Sequence, residues 1–356
     1  MLELFTVVGF ILAGYSVIAN DSVQTLGTWI ASNREKFKWT TLWAAASAVL
    51  VVTLVYGWYT GDGDISFGRL TKIPYKKPQW YHAIAPLALV LLTRRGIPVS
   101  TSFLVLSAFA STFVLEKMLM KSIMGYGLAA VVAYALWLII SRLVDENEDV
   151  SKGSKKFWRT FQWLSTGFLW YTWLSHDVAN IAVFLPRSLE VSQFIMVIVF
   201  FVVGLGWIFY KQGGAIQKIV LDKQSTKYVR SATLIDLVYA FLLLYFKEMN
   251  NIPMSTTWVF VGLLCGRELA LNTGVTKKGN LKTIFPIVAK DFLKLIVGLL
   301  VSVAIVLAIH YGTDGSMDAE PAATEQTQQP VTEVEVISET TDSTATAADT
   351  TAVTTL

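Results

Sequence analysis

Six apolar runs dominate this chain of 356 residues: 2–19, 39–59, 125–141, 191–210, 231–246 and 284–309. A helix that crosses a bilayer needs about 20 predominantly apolar residues at a rise of 1.5 Å each. Runs of this length and number cannot all be packed inside a water-soluble domain. Charge agrees with this. Only 15% of the residues are Asp, Glu, Lys or Arg, 54% are hydrophobic, and the mean hydropathy is +0.52. Soluble domains carry roughly 25% charged residues. The expected fold class is an all-α polytopic membrane protein.

The formal net charge of +3 conceals an asymmetry. Residues 314–356 hold nine acidic side chains and no Lys or Arg, which leaves 29 basic against 17 acidic residues in 1–313. The acidic tail, rich in Thr, Ala and Pro, lacks the apolar side chains to offset the entropy of ordering, so it reads as disordered. The basic excess on the body falls in short loops between apolar runs. There it acts as a topology signal and a contact for anionic headgroups, not as a nucleic-acid surface. Cys265 is the lone cysteine, which excludes an intrachain disulfide, and His82, His176 and His310 are scattered. No nucleophile–base pair, cofactor loop or metal cluster is visible, so neither an enzyme nor a resident cofactor is expected.

Two motifs occur twice. "GIPVSTSF" (residues 96–103) returns as "NIPMSTTW" (251–258), which sets Pro98 and Pro253 155 positions apart. "ANDSVQTLGT" (19–28) returns as "SHDVANIAVF" (175–184), with Asp21 and Asp177, and likewise Gln24 and Asn180, 156 apart. Two motifs in the same order at one separation indicate a duplicated unit. The charged stretch "SRLVDENEDVSKGSKKFWR" (141–159) divides the copies. The expected organisation is a first repeat over 1–144, a charged linker over 145–160, a second repeat over 161–312 and the acidic tail over 313–356. Duplicated membrane units whose helices break at matching positions are the usual build of secondary transporters, often as inverted repeats with the substrate site at the breaks.

Proline removes an N–H, displaces the preceding residue from the helical region and suits the first turn of a new helix. The spacing therefore predicts helices over 97–114 and 252–269 that begin inside the protein. Their first turns would carry Ser100, Thr101, Ser102, Ser255, Thr256 and Thr257, where free N–H groups and hydroxyls favour an oxyanion. The simpler alternative is that these hydroxyls bond back to their own helices and ease packing. The duplication favours the site.

Asp21 and Asp177 lie at the ends of apolar runs, and each is followed three residues later by an amide, Gln24 or Asn180. Positions i and i+3 share a helix face. Each half thus offers a carboxylate and an amide oxygen, hard ligands suited to a small cation such as Na⁺, or to a proton. Helix N-termini attract an anion, whereas two buried carboxylates repel it. Both can operate together only if positive charge accompanies the anion, and the two binding events are then linked.

These residues resemble the inorganic phosphate transporter (PiT) family. "ANDSVQTLGT" and "HDVAN" are similar to its paired Gly-Ala-Asn-Asp-Val-Ala-Asn-type signatures, and "GIPVSTSF" and "NIPMSTTW" to its paired Pro-Val-Ser-Thr-Thr-His segments. The resemblance spans about residues 1–310. It implies an inverted-repeat symporter of inorganic phosphate with Na⁺ or H⁺, placed in the plasma membrane and plausibly dimeric, with sulfate as cargo in some relatives. It also implies a cation-linked centre of Asn20, Asp21, Gln24, His176, Asp177 and Asn180, with Na⁺ at Asp21 and Asp177. The anion would lie at Ser100, Thr101, Ser102, Ser255, Thr256 and Thr257.

The chain departs from the pattern at Gln24, at His176, and at Phe103 and Trp258, which replace the closing His of each proline motif. These departures leave room for another oxyanion as cargo, or for a non-transporting sensor. Outside the motifs, Asp236 stands alone in an apolar run, Arg267 and Glu268 are adjacent, and the loop 59–80 with Asp62 and Asp64 reads as a solvated turn.

Overall fold

A computed structural model describes residues 3–94, 99–140, 152–213, 229–249, 251–271, 273 and 281–312. The tail from 313 onward, Pro98 and residues 141–151 of the linker lie outside them, as does His310's side chain. The described elements are all helical. α1 (Leu4–Ser16) runs through a π-helical turn (Val17–Asp21) into α2 (Ser22–Asn33). α3 (Trp39–Thr60), a 3₁₀ turn (Trp80–Ala83) and α4 (Ile84–Arg94) follow, then a second π-helical turn (Ser102–Leu106) and α5 (Thr112–Ile140). The rest of the body comprises α6 (Lys152–Asp177), the short α7 (Ala179–Ala182), α8 (Val191–Tyr210), α9 (Val229–Met249), α10 (Thr256–Ala270) and α11 (Leu281–Gly312).

Among the described residues four segments are long and apolar enough to span: Leu4–Asn33, Trp39–Thr60, Thr112–Ile139 and Val191–Tyr210. Their outer faces carry exposed apolar side chains such as Val52, Val131, Val199 and Val203. Such faces are stable against lipid and not against water. Trp39, Trp207 and Tyr210 gather at one end of α3 and α8, with Lys211 Nζ 4.9 Å from the Trp207 ring, an arrangement suited to the headgroup layer. Trp170 and Trp173 instead stack inside the protein at 4.9 Å. This is an integral membrane protein with an all-helical fold.

Two boundaries differ from those read in the sequence. The apolar run 2–19 does not end at Asp21; the helix continues to Asn33, so the carboxylate sits mid-segment. The reason is that α2's polar side chains find partners inside the protein: Thr25 donates to the Asp21 carbonyl and Gln24 to Asn20. The helix predicted over 97–114 is also interrupted. Ser102–Leu106 is one wide turn, and α5 starts afresh at Thr112. Ser111 causes the restart, since its Oγ accepts from Val114 N at 3.4 Å and its carbonyl from Leu115 N. Ser is a favoured N-cap residue, and Ser111→Ala is expected to cost about 0.5–1 kcal/mol in thermal unfolding of the detergent-purified protein.

Close helix packing joins the segment after the first proline motif to the segment that begins at the second. α10 lies against α5, with Gly262 and Gly266 at the contact. A Cβ at Gly262 would lie 2.4 Å from the Tyr126 carbonyl oxygen, and one at Gly266 2.0 Å from that of Ala130. Glycines four apart are the sequence device by which membrane helices bring their backbones together. This contact fixes where α10, and so its first residue Thr256, meets the interior.

Candidate functional site

Val99–Ser100 of the first motif and Ile252–Ser255 of the second are non-helical, and the chain turns helical at Thr101 and at Thr256. Ser255 is the N-cap of α10, with φ −80° and ψ 108°, and its Oγ accepts from Trp258 N at 3.2 Å. Ser100 does the same for Phe103 N, also at 3.2 Å. The two copies thus repeat one hydrogen bond at matching positions. Short polar side chains are favoured here because they satisfy a first-turn N–H that no carbonyl reaches.

One residue further on, the copies again agree. Thr101 Oγ1 donates a short hydrogen bond to Asp21 Oδ2, and Thr256 Oγ1 donates to Asp177 Oδ2 at 2.6 Å. Ser102 crosses from the first motif to the second carboxylate, with its Oγ 3.4 Å from Asp177 Oδ1. Asp21 and Asp177 are 2% and 1% exposed. Thr101 and Ser102, neighbours in the chain, thus reach one carboxylate each. All twelve residues singled out as site candidates are buried, Thr257 among them.

The amides divide unequally. Asn180 Nδ2 donates to Asp177 Oδ1 at 3.0 Å, and its Oδ1, also buried, has no hydrogen-bond donor. A carboxylate and a bare amide oxygen therefore stand together in the second copy, as the i, i+3 spacing predicts. In the first copy Gln24 turns away from Asp21, and its Nε2 reaches Asn20 Oδ1 at 3.0 Å. Asn20 takes the amide role instead, donating to Asp21 Oδ1 at 2.6 Å and to the Val99 carbonyl at 3.1 Å. The extra methylene of Gln carries its amide a turn back, past the carboxylate.

His176 is wholly enclosed. Its Nε2 lies 2.7 Å from the Leu243 carbonyl and also faces a guanidinium donor, so the tautomer decides whether it donates to the one or accepts from the other. The guanidinium of Arg69 approaches the same edge at 3.1 Å. Arg69 was not legible as a site residue, because the loop carrying it reads as solvated. In the structure Ile65, Ser66, Arg69, Leu70 and Ile73 of that loop are all buried, whereas Asp62, Thr71, Lys72, Tyr75 and Lys77 are exposed, as a solvated turn requires. The available signal was the apolar spacing of Ile65, Leu70 and Ile73 around Arg69. Lys121 on α5 was missed too. It is 3% exposed and donates to the Ile252 carbonyl at 2.9 Å, anchoring the chain just before the second break. Ser122 beside it accepts from Ser255 N at 2.8 Å. Tyr239 of α9 donates to the Thr256 carbonyl at 2.9 Å. Phe103 and Trp258 face each other across the two breaks, with ring centroids 5.9 Å apart.

This geometry can be set beside known proteins. No family model and no curated protein matches the sequence. Among solved structures, one described as "The sodium-dependent phosphate transporter" superposes with a TM-score of 0.55 over 88% of this chain and 96% of its own, at 16% identity. The chain shares the fold of that structure. The structural resemblance expected from the paired motifs is therefore borne out, and it extends well beyond the few residues that carry them.

Proposed function

We propose that the protein is a secondary active transporter that moves inorganic phosphate across the membrane by symport with Na⁺ or H⁺. The observation that carries this reading is the matched clasp at the two breaks, Thr101 on Asp21 and Thr256 on Asp177. Each hydroxyl has one proton to give. While the carboxylates are bare, those protons are spent on them, and a phosphate entering the pocket meets two negative charges. A cation at the carboxylates changes both terms at once, since it cancels the charge and frees the hydroxyls to turn toward an anion. Binding is then ordered, cation first, and each ligand raises the other's affinity.

Several features support a cation in this role. Asn180 Oδ1 is a buried acceptor with nothing donating to it, which costs about 1–3 kcal/mol unless something fills the gap. It lies on the residue that already touches Asp177, so a small hard cation there would gain a carboxylate and an amide oxygen together. Asn20 and Asp21 would serve the first copy. The anion would lie among Ser100, Thr101, Ser102, Ser255, Thr256 and Thr257, whose hydroxyls surround the two helix starts. The solved structure of similar fold is named as sodium-dependent, which makes Na⁺ the first coupling ion to test. Inverted orientation of the two copies, a plasma-membrane location and a homodimer belong to this reading as well.

The test is uptake of labelled phosphate into proteoliposomes under an inward Na⁺ gradient, an inward proton gradient, or neither. Accumulation driven by one gradient is expected. Binding without flux would make the protein a sensor. Sulfate in excess is expected to leave phosphate uptake nearly unchanged, and equal displacement would reassign the cargo to sulfate.

A further inference from the structure

A third buried carboxylate takes no part in the scheme above. Asp236, on α9, is 1% exposed. Thr28 of α2 donates to its Oδ1 at 2.6 Å, and Thr166 of α6 donates to its Oδ2 at 2.5 Å. Three helices converge on this one group. The ion pairs among the described residues join Lys77 to Glu3 and Arg267 to Glu268, and neither involves Asp236.

The other charged or titratable side chains on the helices packed around it stand elsewhere. Asp21 is seven positions away from Thr28 along the α1–α2 segment, about two helical turns. His176 and Asp177 lie ten and eleven positions beyond Thr166 on α6, and Arg159 lies seven before it. On α9 itself, Tyr239 is one turn along and gives its hydroxyl to Thr256, while Arg230 lies toward the other end, over the Trp158 ring. On α10, Arg267 sits over Trp137. Among the described residues an ionised carboxylate here would have two neutral hydroxyls as its hydrogen-bond donors, which offset only part of the cost of removing its charge from water. A metal cation would find four side-chain oxygens, fewer than the six to eight that a hard cation such as Ca²⁺ collects. A proton needs one.

The site is also connected. From Thr28 toward the end of α2 a column of polar groups continues. Ser32 Oγ donates to the Thr28 carbonyl at 2.9 Å, and Gln162 Nε2 donates to Ser32 Oγ at 2.6 Å. Asn33 Nδ2 then donates to Gln162 Oε1 at 2.9 Å, and Arg159 donates to Asn33 Oδ1 at 2.6 Å. Arg159 is only partly buried, so the column leads from the surface to the Thr28 backbone carbonyl, on the residue whose hydroxyl meets the carboxyl.

We propose that Asp236 is a proton-exchanging carboxyl, reached through this polar column from the face of the membrane at which α2 ends and α6 begins. The inference does not depend on which anion the protein carries, and its test does not read transport. Infrared difference spectra of the full-length reconstituted protein, taken between acid and alkaline pH, are expected to contain the C=O band of a protonated carboxyl that is missing in Asp236→Asn. Asn retains an acceptor for the threonines, so the variant is expected to insert. If it does not, Thr28→Val with Thr166→Val, which keeps the carboxyl and strips its donors, is expected to shift that band to higher frequency. Gln162→Leu with Ser32→Ala is expected to keep the band but slow its hydrogen–deuterium exchange at least tenfold. A spectrum unchanged in Asp236→Asn, or a carboxyl ionised at every pH, overturns the proton assignment. Unaltered exchange in the Gln162–Ser32 variant overturns the route.

Discussion

Asp21→Asn and Asp177→Asn are each expected to lower cation-coupled phosphate uptake by about two orders of magnitude in proteoliposomes, with the protein still inserted. Asn nearly matches Asp in shape and keeps one oxygen to accept from Thr101 or Thr256, so the local geometry survives. The negative charge does not. A cation that loses a buried charged partner loses about 1.5–3 kcal/mol per charge-assisted contact, and 1.4 kcal/mol is tenfold in affinity. With the charge gone the anion meets one negative charge fewer and the hydroxyl is held only by a neutral amide, so equilibrium phosphate binding is expected to persist, with its dependence on Na⁺ or H⁺ flattened. Full coupled uptake in either variant would remove that aspartate from the mechanism.

Gly266→Ala is expected to be among the most destabilising single-methyl additions in the molecule. Its Cβ would fall 2.0 Å from the Ala130 carbonyl oxygen, a backbone atom that cannot swing aside. α10 would have to move off α5. Overpacking of this kind costs about 1–3 kcal/mol, and a backbone clash belongs at the upper end. Gly127→Ala on α5 is the control, because a Cβ there meets nothing within 4 Å. It is expected to leave stability unchanged or raise it slightly, since Ala is the better helix former. Thermal unfolding of the two variants in detergent checks the pair. The Gly266 effect should also reach the site, because the shifted helix is the one that begins at Thr256.

The features that the sequence disclosed were those with a period. Apolar runs of bilayer length revealed the spanning helices, and a separation repeated near 155 residues singled out Asp21, Asp177, the two serine caps and the two threonines. Local spacing failed wherever a side chain could choose among partners. Gln24 and Asn180 sit at the same offset from their aspartates, yet only Asn180 bonds its own. Side-chain length decided that, not position. Arg69 and Lys121 were hidden for a different reason. Lys121 depends on α5 passing the second break, a contact distant in sequence that leaves no local pattern, and Arg69 on a loop folding inward, for which the apolar spacing of Ile65, Leu70 and Ile73 was the one cue. Asp236 was visible as an anomaly, a lone acid in an apolar run, but its threonine clamps come from two other helices.

Duplication would by itself produce twins, and these two carboxylates are no longer twins. Asp21 leans on Asn20 and a single hydroxyl, whereas Asp177 holds Asn180 and two hydroxyls, with His176 rather than an asparagine preceding it. Cations drawn to both places would fill them at different concentrations, so loading would proceed in two stages separated on a titration axis. A device descended from symmetric parts would thereby have acquired a preferred sequence of events, and with it a sense of forward and reverse.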